Sequence, residues 1–276
     1  MKKHGFTLAE VLITLGIVGV VAALTAPALV MSSRNEANAA RLSVVVSNLE
    51  NAFSSILVKE NADSLFNTNL AAQSSNRAGF AGNIAGYMHI NGFRTASTGK
   101  NIAEVYYGNI VPQKMQKNGT GSGSSALGSI VGSDPDQTHV IELKNGAVVF
   151  IRVNTSSPLS EADKQTIMNA GGGLFNQFAD VFIDVNGVNS PNIVGRDLFG
   201  FYLGDNGILY PMGGTDASVL DSCKDGLKSK DKTCNANITN IWNNQSAGWS
   251  CVDGHIGNSG WGCTARVISE GYKINY

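Results

Sequence analysis

At 276 residues the chain has room for one large domain or two small ones and can bury a real core. Charged residues make up only 15%, while 32 Gly and 28 Asn occupy 60 positions, a composition of many turns and few ionic surfaces. A formal net charge of −1 excludes the bulk electrostatic footprint of a nucleic-acid-binding protein or of one drawn as a whole to an anionic membrane.

The apolar residues are concentrated at one end. From Phe6 to Met31 run 26 residues with a single charge, Glu10, preceded by Lys2, Lys3 and His4 and followed by Arg34 and Glu36. About 20 such residues cross a bilayer as a helix, and the lysines on the near side put the N-terminus in the cytoplasm and the rest of the chain outside. A cleaved secretory signal has a shorter apolar region. A plain membrane anchor accounts for the length but not for Glu10, a carboxylate costing roughly 2.5–3.5 kcal/mol deep in a bilayer.

A third reading uses every one of these features. Lys2-Lys3-His4-Gly5 followed by Phe6-Thr7-Leu8-Ala9-Glu10-Val11-Leu12-Ile13 resembles the N-terminus of type IV prepilins and of the pseudopilins of type II secretion. The resemblance implies a basic leader (1–5) cut by a prepilin peptidase between Gly5 and Phe6, N-methylation of Phe6, and Glu10 as the assembly carboxylate. A buried carboxylate needs a partner, and the free amine of Phe6 on a neighbouring subunit would supply one. That pairing sets register in an open helical stack. Gly16, Gly19, Ala22, Ala23 and Ala26 lie along the same segment, where small residues permit close helix approach. Pro27 has two readings: a helix break or kink, which in the resembled family marks a stretch that melts on assembly, or the end of the membrane span.

Beyond Arg34 the pattern becomes amphipathic. Leu42, Val45, Leu49, Phe53 and Ile56 recur at three and four, with Ser43, Ser47, Asn51 and Ser54 on another face. One helix is therefore expected from about Phe6 to near Lys59, with 6–31 as membrane and filament-core half and 32–60 packed on a globular head, 61–276. Residues 61–135 show no clear period, and Gly119–Ser133 reads as a surface loop or insertion. The stretch Gly92–Asn101 lacks the spacing and the Ser/Thr after Lys100 that a phosphate loop requires.

Strand signals strengthen from His139. His139–Leu143 and Ala147–Val153 flank Lys144-Asn145-Gly146, an Asn-Gly hairpin. Ala179–Val185 reads as a strand, and Phe199–Leu203 with Ile208–Tyr210 frames a second hairpin at Asp205-Asn206-Gly207. The expected class is α+β, a pilin-like long helix packed on an antiparallel sheet.

Between strand and hairpin, Asp184, Asn186, Asn189, Asn192 and Asp197 place side-chain oxygens at intervals suited to a hard cation such as calcium. No closing Glu is present, and the same Asn, Gly and Pro also make metal-free turns. The segment is similar to the D-x-N-G, P-N and G-x-D pattern in the heads of many pilin-like proteins, which does not decide between the two. Calcium is the one cofactor raised.

Cys223, Cys234, Cys251 and Cys263 all fall in the last quarter, on the side assigned to the oxidising compartment. Of three pairings, 223 with 234 and 251 with 263 is favoured, because each brackets a short polar loop. Trp249 and Trp261 precede Cys251 and Cys263 in matching Gly-Trp-x-Cys contexts, so each Trp is expected over its neighbouring sulfur. The four His are scattered and no nucleophile or metalloprotease motif is found.

The resemblance implies a structural subunit, not an enzyme, single-pass in a bacterial inner membrane with a periplasmic head. Its implied partners are other pilin or pseudopilin subunits, the prepilin peptidase and the inner-membrane assembly platform; no nucleic acid is expected. The head shows no match to a major pilin, which points to a minor pilin or a secretion pseudopilin. An uncut, membrane-anchored binding module with a calcium-stabilised or adhesive head is the alternative.

Overall fold

Fifty-three residues, Leu8–Glu60, form one helix, α1, in the computed structural model. The structure describes residues 7–94, 106–116, 120–126, 130, 138–153, 177–213, 242–243, 250–252, 254–257 and 260–276. Thr7 caps the start of α1. At its end Asn61 turns left-handed (φ 49°), and the Ala62 N–H reaches back to the Leu57 carbonyl at 3.0 Å, the crossing bond of a Schellman motif. Lys59 in the last turn opposes the negative end of the helix dipole.

The two halves of α1 meet different surroundings. Large apolar side chains from Leu8 to Met31 are 43–80% exposed, whereas Leu42, Val45, Leu49, Phe53 and Ile56 are completely buried. The three-and-four spacing thus makes an apolar stripe only where the head is present to cover it. Pro27 lies inside α1, which continues through it to Glu60. In the lone chain it is therefore no break in the helix.

The head is built on a six-stranded antiparallel sheet in the order β1-β4-β5-β6-β7-β8. The strands are β1 (Ile90–Arg94), β4 (Thr138–Leu143), β5 (Val148–Val153), β6 (Gln177–Asp184), β7 (Leu198–Gly204) and β8 (Leu209–Pro211). A separate ribbon pairs β2 (Gln113–Met115) with β3 (Gly121–Ser125), and β9 (Cys251–Val252) pairs with β10 (His255–Ile256). Alternate residues divide the sheet between two cores. Val149, Ile151, Val181, Ile183, Phe199 and Phe201 pack with the α1 stripe. On the other face Val148, Phe150, Phe182 and Leu198 join Tyr107, Met212 and Trp261.

Both expected hairpins form, and both use the same three-residue turn. In the first, the Gly146 N–H bonds the Leu143 carbonyl at 3.0 Å and Leu143 N–H bonds Ala147 at 2.8 Å. Gly207 and Gly204 repeat that geometry with Ile208. Gly146 and Gly207 both have positive φ (85° and 81°), where a side chain would be strained. The second turn also packs on α1: a Cβ on Gly207 would stand 3.2 Å from the Cβ of Phe53.

Several elements lie where no period was legible. A 3₁₀ turn (Leu65–Asn67) and two short helices, α2 (Asn69–Ala72) and α3 (Arg77–Ala85), precede β1, and α4 (Cys263–Ser269) follows the disulfide. The stretch 119–133, expected as a loop, contains β3. Its Gly/Ser sequence has poor strand propensity, and it is a strand by virtue of pairing with β2. Of Gly92–Asn101, the first three residues belong to β1 and residues 95–101 fall outside the described set.

Candidate functional site

Thr7 and Glu10 form a reciprocal capping box at the head of the apolar segment. The Glu10 Oε2 accepts the Thr7 N–H at 2.8 Å and the Thr7 hydroxyl at 2.8 Å, while the Glu10 N–H donates to Thr7 Oγ1 at 3.3 Å. The spacing Thr-x-x-Glu dictates this closure. The hydroxyls of Thr14 and Thr25 donate to the carbonyls of Val11 (3.0 Å) and Val21 (2.9 Å), so both are satisfied within the helix without water. Gly5 and Phe6, the expected processing pair, lie outside the described residues.

At about 100° per residue, Gly16, Gly19, Ala22, Ala23 and Ala26 gather on an arc centred roughly opposite Glu10. A Cβ built on Gly16 or Gly19 meets nothing within 4 Å. The exposed half of α1 therefore carries a carboxylate on one face and a low-relief stripe on the other.

The second candidate is the loop between β6 and β7. It brings Asp184, Asn186, Asn192 and Asp197 together, with both carboxylates wholly buried. Asp197 organises it: Oδ1 accepts the Ile193 N–H at 2.6 Å, and Oδ2 accepts the Asn192 N–H at 2.8 Å and the Asn186 amide at 3.2 Å. Asp184 accepts the Tyr107 hydroxyl at 2.7 Å and the Asn186 N–H at 3.3 Å. Asn192 donates to the Val188 carbonyl (3.2 Å) and exposed Asn189 to that of Asn186 (2.7 Å). Burial, opposed by its backbone donors, lifts the Asp197 carboxyl to about 6. Burial and the nearby Asp197 raise Asp184 well above the carboxylate range, and burial followed by Asp184 raises the Tyr107 phenol.

These contacts bear on the calcium reading. The Oδ1 atoms of Asn186 and Asn192 are buried without a hydrogen-bond partner, as ligands awaiting a cation would be. Against that, N–H and O–H donors already point at the carboxylate oxygens, in directions a cation would have to take. Among the described residues no three His, Cys, Asp or Glu are grouped to hold a metal. As arranged, the residues make a hydrogen-bonded loop with two amide oxygens left over. Tyr107, which completes this cluster from 77 residues away, carried no signal in the sequence beyond its place in a Tyr-Tyr pair.

Cys251 and Cys263 form a disulfide with Cα atoms 5.0 Å apart; Cys223 and Cys234 lie outside the described residues. The expected Trp cover differs. Trp261 packs edge-on to Phe182, ring centroids 4.9 Å apart, and fills space that Gly200 leaves open, since a Cβ there would come within 2.8 Å of the indole. The disulfide is covered instead by Met115, whose Sδ is 4.0 Å from Cys263 Sγ, in a cluster with Trp242. Thr264 Oγ1 accepts the Gly200 N–H at 3.0 Å. Trp249 is not among the described residues.

Residues 1–26 match the family described as the prokaryotic N-terminal methylation motif, the signature of a prepilin-type segment. No curated protein and no solved structure shows significant similarity to the chain. The match stops one residue short of Pro27 and leaves the head uncovered.

Proposed function

We propose that the chain, which carries a pilin- or pseudopilin-type precursor segment at its N-terminus, is a structural subunit that polymerises through α1 into a pilus-like or type II secretion filament. The observation that carries this reading is the contrast along one helix: an apolar half that the chain's own head leaves exposed, with Glu10 on it, continuous with a half that is fully packed. A soluble fold has no use for so long an uncovered, largely apolar stretch. A membrane first and a bundle of neighbouring subunits afterwards both provide cover.

In this scheme a prepilin peptidase cuts between Gly5 and Phe6, and the inner-membrane platform receives the subunit with its head on the periplasmic side. Cutting removes Lys2 and Lys3 and changes the formal net charge from −1 to −3. The new amine at Phe6 pairs with Glu10 of the next subunit, which exchanges its capping-box donors for a cationic one. The small-residue face opposite Glu10 receives another helix. Mass spectrometry of the mature N-terminus is the decisive test: a chain beginning at Phe6, methylated or not, supports the subunit reading. One beginning at Met1 overturns it in favour of an uncut, membrane-anchored binding module.

A further inference from the structure

Of the described side chains on α1, those from Leu8 through Arg34 are exposed, and the first to be covered is Asn35. What covers it is the C-terminal segment: Asn35 Nδ2 donates to the Ile274 carbonyl at 3.2 Å. One turn further, Asn38 donates to the Arg196 carbonyl at 3.3 Å. Arg196 in turn donates to Tyr276 O at 3.1 Å, and the Tyr276 hydroxyl donates to the Gly195 carbonyl. The base of the head is thus a knot of residues 273–276 and 193–197, tied to α1 at Asn35 and Asn38.

Its height above the membrane follows from helix geometry. Met31 is the last residue of the apolar run, so Arg34 stands about 4.5 Å and Asn35 about 6 Å beyond it along the axis. A bilayer about 40–45 Å thick with a core of about 30 Å leaves a polar layer of roughly 5–7 Å on each side. With Met31 set at the edge of the core, the base of the head falls within that layer. Arg34 and Lys273, both exposed, stand there. Around the helix, Arg34 and Arg41 fall within about 20° of each other, while Glu36 lies about 160° from Arg34, so the acid does not neutralise Arg34 directly.

We propose that the head rests on the outer surface of the bilayer before assembly, with Arg34 and Lys273 contacting anionic phospholipid headgroups. This rests on the membrane-anchored reading above. The net charge of −1 does not oppose it, because a surface potential acts only on charges within about 10 Å, and there the exposed Arg34 and Lys273 outnumber the exposed Glu36. Long basic side chains next to a span hold a helix at the interface in the same way. The contact would fix the height at which a subunit is presented to its neighbours.

The test uses the full chain in lipid nanodiscs of phosphatidylcholine alone or with phosphatidylglycerol, the lysines acylated with acetic anhydride and mapped by mass spectrometry. Lys273 should react about fivefold more slowly in the anionic discs, and the difference should vanish near 1 M salt, where the screening length falls to about 3 Å. Lys59, about 42 Å beyond Met31, is the internal control and should react alike in both. Arg34→Gln should weaken the effect at Lys273 and leave Lys59 unchanged. A chain that enters both discs with Lys273 tracking Lys59 overturns this inference alone. A chain that stays out of both overturns the membrane-anchored reading and this inference with it.

Discussion

Asn38 on the long helix and Arg196 in the β6–β7 loop, 158 residues apart, are joined by a buried hydrogen bond from the asparagine amide to the arginine carbonyl. With Asn35 and Ile274 one turn below, it fixes where the free part of α1 ends and the head begins. Asn38→Ala would leave a buried carbonyl unsatisfied, at a cost of about 1–3 kcal/mol. Asn35→Ala, at a half-buried site, should cost less. Urea unfolding of both variants checks the order; equal midpoints for Asn38→Ala and wild type would remove the bond from any structural role.

Glu10→Ala should insert in the membrane as well as wild type and fail to enter filaments, read by membrane fractionation and by filament shearing. Thr7→Ala removes the cap that holds Glu10 in the lone chain. Its cost is about 1 kcal/mol of local helix stability, seen as faster amide exchange confined to the first turn, with the head unaffected. Normal incorporation of the Glu10 variant would discard the register role.

The buried Asp197 carboxyl has a definite sign of pH dependence. Its folded value of about 6 lies above the ordinary 3.8, so the folded head binds a proton more readily than the unfolded chain. The resulting stability is complete below about 3.8 and is lost as pH rises through about 6; the raised Asp184 acts in the same direction. At most about 3 kcal/mol is at stake for Asp197. Denaturation midpoints should fall between pH 5 and pH 7.5, and Asp197→Asn should reduce that fall even though the variant is less stable overall. An unchanged difference in the variant would assign the pH dependence to other groups.

Calcium and chelator should leave the melting temperature of the head unchanged, because the Asp184 and Asp197 oxygens are already engaged by hydrogen-bond donors. A calcium-dependent rise of several degrees would instead show that the unpartnered oxygens of Asn186 and Asn192 hold a cation after a rearrangement of the loop.

Cys263→Ser should cost about 2–4 kcal/mol, since the disulfide anchors α4 beneath β7 and β8. The loss should be accompanied by a change in Trp fluorescence, because Trp242 shares the cluster that contains both sulfurs. A variant with wild-type melting and emission would show that packing alone holds α4.

The sequence by itself determined the helix, its division near Arg34 and both hairpins, because each is written in local spacing, and it favoured Cys251–Cys263 among three possible pairings that the structure then decided. Helical period and turn chemistry need no knowledge of distant residues. Tertiary structure alone decided that Gly121–Ser125 is a strand, that Trp261 turns to the sheet and leaves the disulfide to Met115, and that Asp184 and Asp197 are buried and engaged by donors. Those outcomes depend on partners remote in sequence: β2 for the Gly/Ser strand, the open space above Gly200 for the indole, and Tyr107 for Asp184. The apolar half of α1 belongs to both lists. Its length and composition were plain from Phe6 to Met31, but only the packed head, closing at Asn35, shows where the uncovered part of the helix ends.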